Sequence, residues 1–330
     1  MLRTALFGVG GIGRRLADEL RDHPETSLEA AVDVNPENLR EAGIDKGDRY
    51  TDEERLYDER GDRLDAVVIA TPPAFHARQI HEAGERGLHV LCEKPLVADR
   101  EEAAAVVERF ANSPETLMVC YQRHLDPAFR RGYERWHAGE REPTFLTGQL
   151  TQDWTAHFEG DENWRTDPEI GVRGHLFSVG THVLESMLWM TGLTPESVSA
   201  EMAFHDDGGV IDTQSSLSIR FANGAIASMA DSAVVPAQRE HLRIWDSDGA
   251  LEVSARDWGE PTLTRIDGGG EESVVDVDRS VRETKVAAFV EAIETSTPPP
   301  ATAEDALRVT ALLDAAYESA RTGERIDVDL

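Results

Sequence analysis

The sequence predicts an α/β chain in two parts, from three observations. A strand-like run over residues 4–7 leads straight into Gly8-Val9-Gly10-Gly11-Ile12-Gly13. Near-continuous apolar strands then alternate with helical segments through the first third, and from about residue 123 shorter-period strands joined by tight turns take over. The first pattern is that of a Rossmann dinucleotide-binding domain over residues 1–122. The second is that of an α+β domain with a mainly antiparallel open sheet over residues 123–330.

A lone Gly-x-Gly-x-x-Gly string is weak, and its place between a strand and a helix is what gives it meaning. Gly8 permits the tight turn, Gly10 lets backbone approach a pyrophosphate, and Gly13 lets the helix over 14–22 pack on the strand. The helix start presents N–H groups to phosphate, so Gly8, Gly10, Gly11, Ile12 and Gly13 form the expected cofactor loop. Residues 28–32 read as the second strand and place Asp33 at its carboxyl end, where a carboxylate accepts hydrogen bonds from an adenosine ribose. The same carboxylate repels a 2′-phosphate, and Val34 and Asn35 follow with no arginine beside it. NAD is therefore expected rather than NADP.

Residues 65–70, 88–92 and 117–121 repeat the buried-strand pattern, with helices expected over 74–85 and 99–112. The first of these strands ends in Thr71-Pro72-Pro73. Beyond a helix over 127–138, the runs 216–222 and 225–230 flank Asn223-Gly224, and 242–245 and 250–253 flank Ser247-Asp248-Gly249; both read as hairpins. Helices over 281–294 and 303–321 close the chain, and Thr297-Pro298-Pro299-Pro300 is a stiff connector. On the strands near 216–230, Leu217, Ile219 and Phe221 face one way and Ser216, Ser218 and Arg220 the other.

At 330 residues there is room for two cores. The formal charge is −30, from 63 acidic and 33 basic residues, and only Lys46, Lys94 and Lys285 of the latter are lysine. Acidic excess spread along the whole chain with lysine depletion fits a halophilic protein dissolved in concentrated salt, where screening removes most self-repulsion. It speaks against nucleic acid as a partner. Cys92 and Cys120 lie in apolar strands and read as small core residues. The chain opens on a core strand and carries no membrane-length apolar run, so a cytoplasmic protein is expected.

Two places carry chemistry. Glu93-Lys94-Pro95 follows a parallel strand, which puts Lys94 at the carboxyl edge of the sheet, beside the nicotinamide end of a dinucleotide. Pro95 restricts Lys94 to extended geometry and favours a cis bond. Keeping a lysine there suggests that arginine does not serve, since an ammonium can lose its proton and a guanidinium cannot. Further on, residues 175–190 form an apolar helix whose narrow polar arc holds His175, Ser178, His182 and Glu185. In so acidic a chain, two histidines and a serine do not match an ordinary solvated face. His157, His205, Asp206 and Asp207 lack metal-ligand spacing and read as solvated loop, so no metal is expected.

Together these residues resemble the glucose-fructose oxidoreductase, inositol dehydrogenase and MocA family of nicotinamide-dependent sugar and polyol oxidoreductases. The resemblance spans nearly the whole chain: the glycine loop, Ala70-Thr71-Pro72-Pro73 with His76, Glu93-Lys94-Pro95-Leu96, Tyr121-Gln122-Arg123 with Asp126-Pro127, Trp164-Arg165, Gly180-Thr181-His182, and 314–320 with Gly323. It implies that Thr71, Pro72, His76, Glu93 and Lys94 join the cofactor site, and that Lys94, His182 and, at the aspartate's place, Ser178 form the catalytic set. The family's helix carries Asp-x-x-x-His; here Ser178 stands four residues before His182, and Glu185 or His175 would have to compensate. The expected reaction is hydride transfer between nicotinamide and a carbinol or carbonyl carbon of a sugar or polyol, with His182 as general base and Lys94 orienting the reacting oxygen. Arg123, Gln122, Trp154, Trp164, Arg165 and His175 would line the substrate site. By the same analogy the chain forms a homodimer or homotetramer through the open sheet face. Two other readings stand beside this one: a non-catalytic NAD or sugar sensor, supported by Ser178 alone, and a hydrolase or epimerase that uses NAD in an internal redox cycle.

Overall fold

A computed structural model describes residues 1–139, 141–159, 163–205 and 208–330. The chain runs β1 (Leu2–Phe7), α1 (Gly11–Asp22), β2 (Thr26–Val32), α2 (Pro36–Glu41), β3 (Arg49–Tyr50), α3 (Glu53–Arg60), β4 (Ala66–Ile69), α4 (His76–Glu85), β5 (His89–Cys92), α5 (Arg100–Phe110) and β6 (Leu117–Val119). It continues with α6 (Pro127–His137), β7 (Phe145–Asp153), α7 (Thr155–Phe158), a π-helical turn (Leu176–Gly180), α8 (Thr181–Thr191), β8 (Pro195–Phe204), β9 (Asp212–Phe221) and β10 (Ile226–Ser232). The last elements are β11 (Val234–Asp246), β12 (Gly249–Arg256), β13 (Thr262–Asp267), β14 (Glu272–Val274), α9 (Lys285–Thr295), α10 (Ala303–Thr322) and β15 (Ile326–Asp327).

Two compact units result: Met1–Leu125 with Glu283–Glu304, and Asp126–Arg282 with Asp305–Leu330. A contiguous division at 122/123 does not anticipate the return of 283–304 to the first unit. The cause is the apolar stripe of α9: Val286, Phe289 and Val290 are buried in one core with Leu16 and Leu20 of α1. Helical spacing shows the stripe, but nothing in the linear order says which sheet it covers.

In the first unit all described strands pair in parallel, in the order β3-β2-β1-β4-β5-β6. Every residue of β4 is buried, as a strand covered on both faces requires. The order reverses between β1 and β4, so their carboxyl ends open a crevice, the usual ligand position in such sheets.

In the second unit the described strands run β14-β13-β12-β11-β7-β10-β9-β8-β15, antiparallel except for the β10/β7 pair. Along β9, Leu217, Ile219 and Phe221 are buried while Ser216, Ser218 and Arg220 are exposed, the alternation read from sequence. The Asn223-Gly224 turn forms as expected, with Gly224 at φ +87° and the Ala225 N–H on Asn223 Oδ1 at 3.0 Å. β11 is longer than the run 242–245 read from sequence, and its pairing with β7 shifts register between Val234 and Arg239. Helix α8 lies close on β7: a Cβ at Gly148 would stand 2.7 Å from Val183 Cγ1.

Candidate active site

Loop 8–13 has room for backbone and little else. Gly8 sits at φ +82°, and a Cβ there would lie 2.6 Å from the Ala70 carbonyl oxygen. A Cβ on Gly13 would lie 2.0 Å from the Gly8 carbonyl oxygen, which is why α1 can start so close to β1. At Gly10, by contrast, a Cβ would meet no described atom within 4 Å. The first turn of α1 carries no acidic side chain. A closed floor and an open side beneath a helix start suit a pyrophosphate.

Asp33 ends β2 and is almost fully buried. Its Oδ2 accepts the Val9 N–H at 2.7 Å, and its Oδ1 accepts the Asn35 N–H at 2.8 Å and Asn38 Nδ2 at 3.1 Å. The carboxylate thus ties the glycine loop to the end of the second strand. One cation lies closer than sequence order suggests: Arg14 NH2 donates to Asn38 Oδ1 at 3.3 Å and pairs with Glu41 Oε2 at 2.5 Å.

Lys94 is half-buried, and the Lys94–Pro95 bond is cis. Glu93 is buried, and its ion-pair partner is Lys285 of α9. Burial pushes the Glu93 carboxyl up, but the Lys285 and Lys94 charges outweigh it and hold the group below the usual carboxylate range. His76 is 1% exposed, with Nδ1 3.0 Å from the Pro95 carbonyl oxygen and Nε2 2.8 Å from that of Thr71. It therefore joins the Thr71-Pro72 turn to the Lys94 turn and positions both. Burial keeps its imidazole below the ordinary histidine range. Burial likewise raises the Cys92 and Cys120 thiols, which makes both unreactive core residues. Arg123 is buried in the turn after β6.

In the second unit the polar arc that runs from His175 through the π-helical turn into α8 is not a solvated face. His175 is 0%, His182 6% and Glu185 2% exposed, and Ser178 is half-buried. The 3.6-residue wheel fails at its start, because the Thr181 N–H reaches back five residues to the Leu176 carbonyl. Such π turns gather at functional sites. His175 Nδ1 faces Asp231 Oδ2 at 2.8 Å, both side chains fully buried, and the ring stands edge-on to Trp154 at 4.8 Å. His175 is thus an interior residue rather than an open substrate contact. Trp154 also meets His157 at 5.1 Å, and the Arg165 guanidinium lies over Trp164 at 4.3 Å and Trp154 at 5.8 Å. The expected substrate residues Trp154, Trp164, Arg165 and His175 are thereby one assembly. Val172, β-branched, takes φ +72° in the same loop, a strained position.

Sequence reasoning missed the acids beneath this helix. Asp212 accepts from the Leu176 N–H at 2.9 Å and bonds to Tyr317 OH. Burial, with the Asp231 charge, raises Asp212 to about 6. A Cβ on Gly174 would lie 2.2 Å from Asp212 backbone, and one on Gly180 would lie 2.8 Å from Asp231 Oδ1, so both glycines make room for the acid-bearing strands. The available signal was an aspartate, Asp231, at an inward register position after Ala227 and Met229. Sequence also missed Trp258, whose ring stands 6.1 Å from that of His182 at 65°. Among the described residues no group of three or more His, Cys, Asp or Glu has metal-site geometry, and no helix is long and apolar enough to cross a membrane. Asp206 and Asp207 lie outside the described residues; the ring of His205 rests on Phe158 at 5.0 Å.

Fold and glycine cradle define a nicotinamide-dependent oxidoreductase. Models of an oxidoreductase family with NAD-binding Rossmann fold and of the GFO/IDH/MocA C-terminal domain match residues 2–121 and 142–252, and the chain belongs to that family. It is 32% identical over 273 residues to D-xylose 1-dehydrogenase (NADP(+)) 2 of Haloferax volcanii, covering 81% of this chain and 82% of the relative. It is 24% identical to D-xylose 1-dehydrogenase [NADP(+)] of Haloarcula marismortui, over 99% of this chain and 93% of that one. Levoglucosan dehydrogenase in complex with NADH shares the fold with a TM-score of 0.83 at 21% identity, covering 99% of both chains.

Proposed function

We propose that this oxidoreductase acts on a secondary carbinol or carbonyl carbon of a sugar or polyol and prefers NAD to NADP. The nicotinamide supplies the hydride chemistry. His182 takes the hydroxyl proton in alcohol oxidation, Lys94 orients the reacting oxygen and stabilises developing alkoxide, and Ser178 hydrogen-bonds substrate hydroxyl or imidazole. The observation that carries the reading is the loop whose Gly8 and Gly13 admit no Cβ while Gly10 stays open. The sugar dehydrogenases among the relatives support the substrate class.

The cofactor preference rests on Asp33. A carboxylate fixed at the strand end suits ribose hydroxyls and opposes a 2′-phosphate, and the Arg14 guanidinium nearby is already paired with Glu41. The relatives named for NADP(+) favour the opposite choice, so both cofactors belong in the test. NAD and NADP reduction is measured in molar KCl across aldoses, inositols, sugar acids and polyols. NADH formed with one substrate group supports the reading. Silence across the panel, with NAD binding demonstrated in parallel, favours an internal redox cycle or a sensor. The acidic excess supports a salt-rich cytoplasm as the working medium. A homodimer or homotetramer through the polar open face of the sheet is part of the same proposal, checked by light scattering.

A further inference from the structure

Trp258 is 47% exposed, yet its backbone is held in a costly conformation. Asp257 and Trp258 are consecutive non-glycine residues at φ +54° and +55°, between β12 and β13. The loop is pinned by the Trp258 N–H on Gln238 Oε1 at 3.0 Å, by the Gly259 N–H on the Arg256 carbonyl at 2.9 Å and by the Asp257 N–H on the Gln238 carbonyl at 3.4 Å. Gln238 itself is 8% exposed, so the anchor is a buried side chain rather than a surface contact. The Gly259 N–H on the Arg256 carbonyl closes a tight turn whose two central residues take positive φ, as in the primed turns that join antiparallel strands. Neither central residue is a glycine or an asparagine, and the turn carries the half-open indole to a place beside His182.

We propose that Trp258 is a specificity-determining platform, on which the C–H face of an aldopyranose stacks so that a ring carbinol meets His182. This rests on the reading of His182 given above. A pyranose presents an apolar face of axial hydrogens and an equatorial rim of hydroxyls. An indole accepts the face, and the imidazole edge beside it accepts a hydroxyl of the rim. An acyclic or very small alcohol has no such face and gains nothing from the indole. Trp258 is part of neither the Gly8–Gly13 loop nor the end of β2 at Asp33, so NAD affinity serves as the control.

The test is calorimetric titration of D-xylose, D-glucose and L-arabinose into wild type, Trp258→Phe and Trp258→Ala, each in molar KCl, with NAD titrated separately. For the sugar bound tightest by wild type, Trp258→Ala should lose about tenfold in affinity, and Trp258→Phe should stay within about threefold. NAD affinity should be the same in all three. Gln238→Ala, which keeps the ring and removes its anchor, should fall between the two variants. Equal sugar affinity in wild type and Trp258→Ala overturns the proposal, as does a matching loss of NAD affinity, or no binding of any of these sugars to wild type. Turnover of His182→Ala is measured alongside. If it persists, the base assignment fails, while a sugar affinity that depends on Trp258 still stands.

Discussion

Asp212→Asn removes a buried charge whose effect on stability has a definite pH window. The carboxyl is fully buried and raised from 3.8 to about 6, by burial first and the Asp231 charge second, against the pull of Tyr317 and the Leu176 N–H. Because the folded value lies above the unfolded one, the folded protein binds more protons between them. Stability therefore falls as pH rises from about 4 to about 6, and the loss is complete above 6. A displacement of two units corresponds to about 3 kcal/mol. Asparagine carries no such penalty, and it keeps one oxygen for the Leu176 N–H while its amide can donate to the Tyr317 oxygen. Rearranging these bonds costs about 1 kcal/mol, so the variant should be about 2 kcal/mol more stable at pH 7.5 and no more stable at pH 4. The assay is urea unfolding of both proteins from pH 4 to 8 in molar KCl, following the difference between them. Salt does not screen a pair this deeply buried. A difference that stays flat across that range would refute the reasoning, because it would mean that Asp212 does not titrate there.

Asp33→Ser should move the ratio of kcat/KM for NADP over NAD upward by at least tenfold, about 1.4 kcal/mol; an unchanged ratio would place cofactor choice elsewhere. Gly8→Ala should weaken NAD binding more than tenfold, because its Cβ would stand 2.6 Å from the Ala70 carbonyl oxygen, and normal titration behaviour would count against the tight turn. Lys285→Met should destabilise the first unit by about 3–5 kcal/mol by leaving the buried Glu93 carboxylate uncompensated, with Glu93→Gln in the same chain restoring most of it. His182→Ala should lower kcat by about 10²–10⁴ and abolish the acidic limb of the oxidation rate. A wild-type limb in that variant would exclude His182 as the base.

What was legible in the sequence was whatever depends on neighbours along the chain. The glycine loop, Asp33 at its strand end, the buried parallel strands and the Asn223-Gly224 hairpin follow from steric rules over a few residues, and all are present. What depends on distant pairing was not legible. The stripe of α9 was visible, but its docking against α1 was not. The polar arc of α8 was read on a uniform 3.6-residue wheel, and the π turn at Leu176–Gly180 departs from it. Asp212 and Asp231 meet His175 only because two strands bring them under that helix. Trp258 escaped notice because an isolated tryptophan in a loop carries no period, and its backbone conformation cannot be seen in its letters.

The scarcity of lysine is informative, though less directly than its count suggests. Lys94 and Lys285 both act on Glu93: Lys285 through its ammonium, and Lys94 through its N–H at 3.2 Å and its charge. A single buried carboxylate suits a compact ammonium, whereas a guanidinium brings five donors to a place with few acceptors. Packing alone therefore explains lysine at 285. Lys285 carries the larger share of that neutralisation, and we propose that Lys94 also shares the proton transfer, which arginine could not do. The two explanations separate in the arginine variants. Lys285→Arg should lose stability and keep kcat per folded molecule, while Lys94→Arg should keep stability and lose kcat by orders of magnitude. Wild-type turnover in Lys94→Arg would show that a fixed charge suffices, and that the retained lysine records space at the end of β5 rather than proton chemistry.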